Sequence, residues 1–468
     1  MGMTAKYRFF RQAIRSILFF YYRDLEVYGR SFIPKSGKTL FIANHQTGLI
    51  DGLVFLGTNP FEVRTLAKNT LWDNPIIRIF ANGMNMIPVF RKQDVETDPS
   101  RSKMSSGERN KEAFGNVAKA FENNEYVLLF PEGRSHDLSY VLRLRSGAAR
   151  MLLTTEADHD FRLGLKWVPV SLDFEKKHQP GSRILMHYHP ARSVAYLRDL
   201  YAKDPEAAIE TLRAEMETYL KDITINFESW PDRVFIERLT EVWLARAPNN
   251  MLLDRHNFLL KWKRIMENTS VDDKEQWEQL RNSVRQVYGS LTLLNLTPAD
   301  IYKHSPKTRG RMLAKVLFRV CVWGPLIAVG LTFWWPPTKL VRWIARKWAP
   351  SLDVVSSYQI IAGMVLLPIW LLLVFPWILE SIGQSASLGV FILAIATGLS
   401  AMMVSRSLRP EIREVLSLYR YGTLSNFISE TDIKIVAIWQ QAARLWNRGL
   451  RRQILIEAVV EAEKPKTA

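Results

Sequence analysis

The sequence predicts an α/β domain, a mixed sheet flanked by helices, followed by a helical extension, membrane-embedded helical hairpins and a C-terminal helical tail. Three observations carry this expectation. From about residue 25 to residue 190, short apolar runs alternate with amphipathic stretches, the pattern of strands alternating with helices around a largely parallel or mixed sheet. After Pro205 the spacing turns helical. Two uncharged runs, about 354–379 and 382–405, are each longer than the roughly 20 residues a spanning helix needs.

The elements follow in order. Residues 1–24 carry Lys6, Arg8, Arg11, Arg15 and Arg23, while Phe9, Phe10, Ala13, Ile14, Ile17, Leu18 and Tyr21 recur at helical spacing. This is a basic amphipathic helix suited to a bilayer interface, with a core-facing helix as the competing reading. Arg15 interrupts the apolar stretch too early for a signal peptide. Residues 25–230 form the α/β domain, with strands expected at Leu40–Ala43, Val63–Ala67, Ile87–Phe90, Val127–Phe130, Val168–Leu172 and Ile184–Tyr188. Residues 231–310 make the helical extension and 407–468 the tail, whose Ile435, Ile438, Trp439, Ala442, Leu445 and Trp446 share one helix face.

Between them, 311–406 is the membrane region, with a turn at Glu380 joining the two spans. A third apolar stretch, about 316–338, contains Gly324-Pro325 and ends at Pro336-Pro337. From Lys303 to Lys347 there are ten basic residues and no acidic one. The positive-inside rule then puts both flanks in the cytoplasm and makes the stretch re-entrant, the alternative being a third span.

Composition narrows the partners. The 63 Lys plus Arg against 46 Asp plus Glu leave a net charge of +17 over 468 residues, which favours nucleic acid, lipid headgroups or phosphorylated substrates. Nucleic acid ranks last, because the basic residues gather beside apolar spans rather than among aromatics on a soluble face. The single cysteine, Cys321, excludes an intramolecular disulfide framework, and its apolar surroundings in sequence suggest packing. No metal-ligand spacing stands out; His187 and His189 alternate without acidic or Cys companions.

Three segments at expected strand ends could carry chemistry. In Ala43-Asn44-His45-Gln46-Thr47-Gly48-Leu49-Ile50-Asp51, a carboxylate near a histidine can fix the imidazole tautomer and leave the other nitrogen to accept a proton. A surface pair would look the same. Phe130-Pro131-Glu132-Gly133-Arg134-Ser135-His136-Asp137 gathers charge around a glycine turn, and Ile87-Pro88-Val89-Phe90-Arg91 ends in a guanidinium suited to phosphate. Each alone is equally an ordinary surface turn.

Their order and separation, completed by Val168-Pro169-Val170-Ser171-Leu172, resemble the four sequence blocks of the glycerolipid acyltransferase superfamily, over about residues 25–190. The strings after Ile87 and Phe130, with Leu144-Arg145-Ser146-Gly147, are similar to the fungal-type branch acting on glycerol-3-phosphate or dihydroxyacetone phosphate. One departure stands out. Five residues separate His45 and Asp51 where the superfamily usually has four, and Gly48 is the natural place to absorb the extra one.

The resemblance implies an integral, multi-pass membrane enzyme with its catalytic domain on the cytoplasmic face. It implies His45 as general base and Asp51 as its orienting carboxylate. Lys68, Arg91, Arg134 and Arg145, with Ser135, would receive the acceptor phosphate, while Glu132 and Gly133 shape the glycerol pocket. No cofactor is implied beyond the co-substrate, acyl-CoA or acyl-ACP. The acceptor would be glycerol-3-phosphate, with lysophosphatidate or another lysophospholipid as the alternative, and the oligomeric state stays open.

Overall fold

The computed structural model describes residues 3–73, 75–89, 106–245, 251–294, 296–302, 309–382 and 425–462, with scattered positions between 389 and 412. The chain divides into two compact units, Met1–Asn226 with Ile344–Ile361, and Phe227–Trp343 with Ala362–Ala468.

The first unit is built on a mixed sheet of eight strands: β1 (Asp24–Tyr28), β2 (Thr39–Ala43), β3 (Val63–Lys68), β4 (Ile87–Val89), β5 (Tyr126–Leu129), β6 (Lys166–Phe174), β7 (Arg183–Tyr188) and β8 (Arg192–Ser193). The order is β1-β7-β6-β2-β5-β3-β4, with β8 beside β6. Strands β2 to β6 run parallel, whereas β7 and β8 pair antiparallel to β6, and β1 is parallel to β7. The edge strand β1 was not among the expected strands, although its apolar positions alternate with acidic ones in Asp24-Leu25-Glu26-Val27.

Central β2 is buried at every residue, as a strand covered on both faces must be. Its side chains alternate between two cores. Leu40 and Ile42 join Val117, Phe121, Ala149, Leu152 and Leu212, which come from α4 (Ser106–Glu122), α5 (Gly147–Ala157) and α7 (Pro205–Ile223). Phe41 and Ala43 face the other way, towards Ile14, Leu18, Val54 and Phe55 of α1 (Ala5–Tyr21) and α2 (Leu49–Thr58). Two short helices, α3 (Pro75–Gly83) and α6 (Arg198–Lys203), complete this unit.

Helix α1 packs one face on this unit, as the core-facing reading expects. Tyr7, Ile14 and Leu18 are buried, yet Phe9 and Phe19 remain 69% and 52% exposed.

The second unit contains α8 (Trp230–Trp243), α9 (Leu252–Glu267), α10 (Lys274–Leu293), α11 (Pro298–Tyr302) and α14 (Ser425–Ala462). The tail helix α14 packs on the extension: Ile435, Ile438, Ala442 and Leu445 are buried, Trp446 stacks on Trp243, and Trp439 Nε1 donates to the Val242 carbonyl at 2.8 Å.

Two long helices remain, α12 (Arg309–Trp348) and α13 (Val355–Ile382). Among the described residues, one helix is long and apolar enough to cross a membrane, Leu352–Pro376, with mean hydropathy 2.2. It corresponds to the first expected span. Glu380 is not a turn, because α13 continues to Ile382; a lone charge does not stop a helix where the backbone can keep its hydrogen bonds. The second expected span, 382–405, falls almost wholly outside the described residues. The stretch at 316–338 belongs to α12, whose parts Leu313–Pro325 and Ile327–Trp348 meet at 57°. The break falls at Gly324-Pro325, where proline removes a helical hydrogen bond. Cys321 is exposed on this helix, so among the described residues the packing role expected from its apolar neighbours is not met.

Candidate active site

The candidate site forms where β2 and β5 end. His45 follows β2 by two residues and is held from four directions. Its backbone N–H donates to Glu132 Oε1 at 2.7 Å. Its carbonyl accepts from His136 N–H at 3.3 Å. Its ring stacks on Phe130, with centroids 4.3 Å apart and planes 18° apart. Its Nδ1 lies 2.9 Å from Asp51 Oδ2. The preceding Asn44 pins the strand end through a two-way bond with β6: its amide donates to the Leu172 carbonyl at 3.0 Å and accepts from Leu172 N–H at 2.8 Å. The residue before His45 is thereby fixed.

The spacing departure resolves in the turn. Gly48 takes φ +58° and ψ −123°, the values of the first central residue of a type II′ turn, and Ile50 N–H closes that turn on the Thr47 carbonyl at 3.2 Å. Only glycine adopts this conformation without strain. Helix α2 starts at Leu49, so His45 precedes the helix and Asp51 lies in its first turn. The rotation per residue of a continuous helix does not apply across the pair.

Asp51 is fully buried. Besides the imidazole it accepts from Thr47 N–H at 2.8 Å and from Thr47 Oγ1 at 2.5 Å. A carboxylate at the N-terminus of α2 is also favoured by the helix dipole. The three bonds fix the carboxylate, and the carboxylate fixes the ring. The His45 side chain is 12% exposed, and among the described residues no hydrogen bond engages Nε2. The arrangement leaves that nitrogen as the one available to accept a proton.

The Phe130–Asp137 turn supports His45 from below. Glu132 spends its carboxylate within the protein, on His45 N–H, on Leu142 N–H at 2.9 Å and on His136 Nε2. Gly133 has φ +75°, and a Cβ there would collide with the Arg145 side chain. Arg145 and Arg134 are exposed and Lys68, at the end of β3, is half-buried. Arg91 lies outside the described residues.

Ser135 donates to Asp353 Oδ2 at 2.5 Å, in the turn that opens α13. Ser357 Oγ donates to the Thr47 carbonyl at 3.4 Å and Ser356 Oγ to the Lys177 carbonyl at 2.8 Å. Nearby, Asp137 lies 3.3 Å from Lys177 Nζ and 3.6 Å from His178 Nε2. Burial, the largest single influence on Asp137, raises its pKa, but the His178 hydrogen bond and the Lys177 charge together leave it below the ordinary value.

Sequence reasoning passed over Thr47, His136 and Asp353. Thr47 and His136 each stand four residues from an acidic partner within the motifs, a spacing that brings side chains together across one turn. Nothing in the sequence links Asp353 to Ser135.

Residues 24–173 match a family model described as Acyltransferase. The match marks this segment, which carries β1 to β6, as an acyltransferase domain. The chain is 21% identical over 276 residues to glycerol-3-phosphate O-acyltransferase 1 of Saccharomyces cerevisiae, covering 54% of this chain and 35% of that one. It therefore spans about a third of that relative's length. Among solved structures, it is similar to the 1-acyl-sn-glycerophosphate acyltransferase PlsC of Thermotoga maritima, at 18% identity and a TM-score of 0.29, over 45% of this chain and 78% of that one.

Proposed function

We propose that the protein transfers a fatty acyl group from a thioester donor, acyl-CoA or acyl-ACP, to the sn-1 hydroxyl of glycerol-3-phosphate. The observation that carries the reading is the 2.9 Å contact between His45 Nδ1 and the buried Asp51 carboxylate, which leaves Nε2 available. In the reaction, Nε2 takes the proton of the acceptor hydroxyl as its oxygen attacks the thioester carbonyl. The tetrahedral intermediate collapses, the C–S bond breaks, and the departing thiolate takes the proton back from the imidazolium. The products are an ester and a free thiol, and no covalent acyl-enzyme is needed.

Asp51 keeps Nδ1 protonated and stabilises the cationic ring. Arg145 and Arg134, with Lys68 and Arg91, supply positive charge for the acceptor phosphate, and Ser135 adds a hydroxyl. Glycerol-3-phosphate is preferred over lysophosphatidate because the yeast relative is named for it. The enzyme would be an integral, multi-pass membrane protein working at the cytoplasmic leaflet. The basic flanks of 316–338 and the apolar Leu352–Pro376 helix support this, since juxtamembrane cations are attracted to anionic headgroups.

The test is an acyl-transfer assay on purified full-length protein, with glycerol-3-phosphate, dihydroxyacetone phosphate and lysophosphatidate in parallel. Highest kcat/KM with glycerol-3-phosphate is expected. Preference for lysophosphatidate moves the assignment to the second acylation step, and no transfer to any acceptor rejects the enzyme reading.

A further inference from the structure

A second basic site lies in the first unit, away from the catalytic pair. A cavity of about 380 Å³ opens between α1, β1 and the C-terminal end of α2, lined by Arg11, Arg15, Arg23 and Arg30. His45 and Asp51 take no part in it. Thr58 stands seven positions after Asp51, about 10 Å further along α2.

The positive charge here is uncompensated. The one carboxylate in the lining, Asp24, is taken by Arg23 at 3.0 Å. Among the described residues, Arg11, Arg15 and Arg30 make no ion pair; Arg30 Nη2 reaches only the Thr58 carbonyl, at 3.3 Å. Arg11 Nε is buried and has no hydrogen-bond partner. Burial, followed by the charge of Arg15 and more weakly of Arg30, pulls the Arg11 guanidinium below its ordinary pKa. Arg15 and Arg30 are exposed and Arg11 Nε is shut from solvent, and three like charges around one cavity favour entry of an anion. A phosphate offers oxygens on several sides and matches the guanidinium fork.

The rest of the lining suggests how that phosphate arrives. Leu18, Leu25 and Val27 give the cavity apolar wall, and Phe19, 52% exposed, stands at its edge. An anion with an attached hydrocarbon portion fits this combination better than a fully hydrated one.

We propose that this cavity binds the phosphate group of an anionic phospholipid, as a site separate from the catalytic one. The crosslinking test does not rest on the acyltransferase reading; the activity control in the second arm does. The full-length protein would be placed in phosphatidylcholine nanodiscs doped with a photoreactive phosphatidate, and the crosslinked peptides mapped. Crosslinks within residues 11–30, absent with a photoreactive phosphatidylcholine, are expected. Crosslinks elsewhere only, or equal labelling by both lipids, overturn the proposal.

A second arm tests the arginines. Arg11→Gln/Arg15→Gln should lower phosphatidate retention at least tenfold while acyl transfer to soluble glycerol-3-phosphate stays unchanged, and Arg11→Lys/Arg15→Lys should fall between. Unchanged retention in the glutamine variant overturns the assignment. Inorganic phosphate as competitor separates the two sources of the anion: displacement of the lipid only at great excess supports a lipid site. Displacement at concentrations matching the lipid's own shows a site for free phosphate and overturns the lipid assignment.

Discussion

Ser135, in the turn after β5, and Asp353, at the threshold of the apolar helix α13, meet at 2.5 Å across 218 residues of sequence. With Ser357 on the Thr47 carbonyl and Ser356 on the Lys177 carbonyl, the bond ties the start of a membrane-span candidate to the turn after β5, the turn between His45 and Asp51, and the loop between β6 and β7. An acidic residue beside a long apolar run is costly unless it finds donors, and here the donor comes from a motif turn.

Asp353→Ala leaves the Ser135 hydroxyl without its acceptor. The expected loss is about 1–3 kcal/mol of stability, read as a lower thermal midpoint in detergent, together with reduced kcat. Wild-type stability and turnover would show that the junction does not support the site.

His45→Ala should abolish transfer while leaving membrane insertion intact. Asp51→Asn should lower kcat by roughly 10²–10⁴, because the general base loses the carboxylate that holds its tautomer and orientation, with KM for the acceptor little changed. Assays of kcat and KM decide it; a variant lacking His45 that still turns over ends the general-base assignment.

Gly48→Ala forces a side chain into φ +58°, ψ −123° and brings its Cβ within 3.1 Å of Val354 Cγ1. A loss of about 1–3 kcal/mol is expected from the backbone alone. Turnover should fall further than stability, because the turn sets the distance between His45 and Asp51. Parallel denaturation and turnover measurements compare the two.

Glu132→Gln distinguishes a brace from a substrate ligand. The carboxylate already accepts from His45 N–H, Leu142 N–H and His136. The change should therefore lower stability and kcat, with acceptor KM nearly constant. A selective rise in KM would instead make Glu132 a contact of the glycerol pocket.

Asp137 gives a pH dependence. Its pKa in the fold lies below the ordinary 3.8, held there against burial by His178 and Lys177. Its stabilising contribution is thus fully present above that ordinary value and drains as pH falls through the lower folded one. Asp137→Asn should flatten the acid side of the stability curve; an unchanged slope would rule out this pairing as its cause.

Much of this protein was readable from residue order. Buried strands such as Thr39–Ala43 are continuous apolar runs because both faces are covered, and the 3.6-residue spacing of Ile435, Ile438, Ala442 and Leu445 marks a packed helix face. A local turn sets the His45–Asp51 pair, whereas Glu132 reaches His45 only because β2 and β5 pair side by side. The sequence could also name Gly48 as the place where an extra residue must be absorbed, since glycine alone tolerates that backbone.

Other features depend on contacts that distant segments make only after folding. Edge strand β1 is short and half-polar, so its place is set by pairing with β7. The inward use of the Glu132 carboxylate depends on where Leu142 and His136 turn back. The uncompensated arginines of α1 become a cavity only when Arg30 and the end of α2 come beside them. Short-range periodicity and turn chemistry thus determined the elements and the His45–Asp51 pair. Burial and long-range hydrogen bonding, as between Ser135 and Asp353, decided what those elements hold in place.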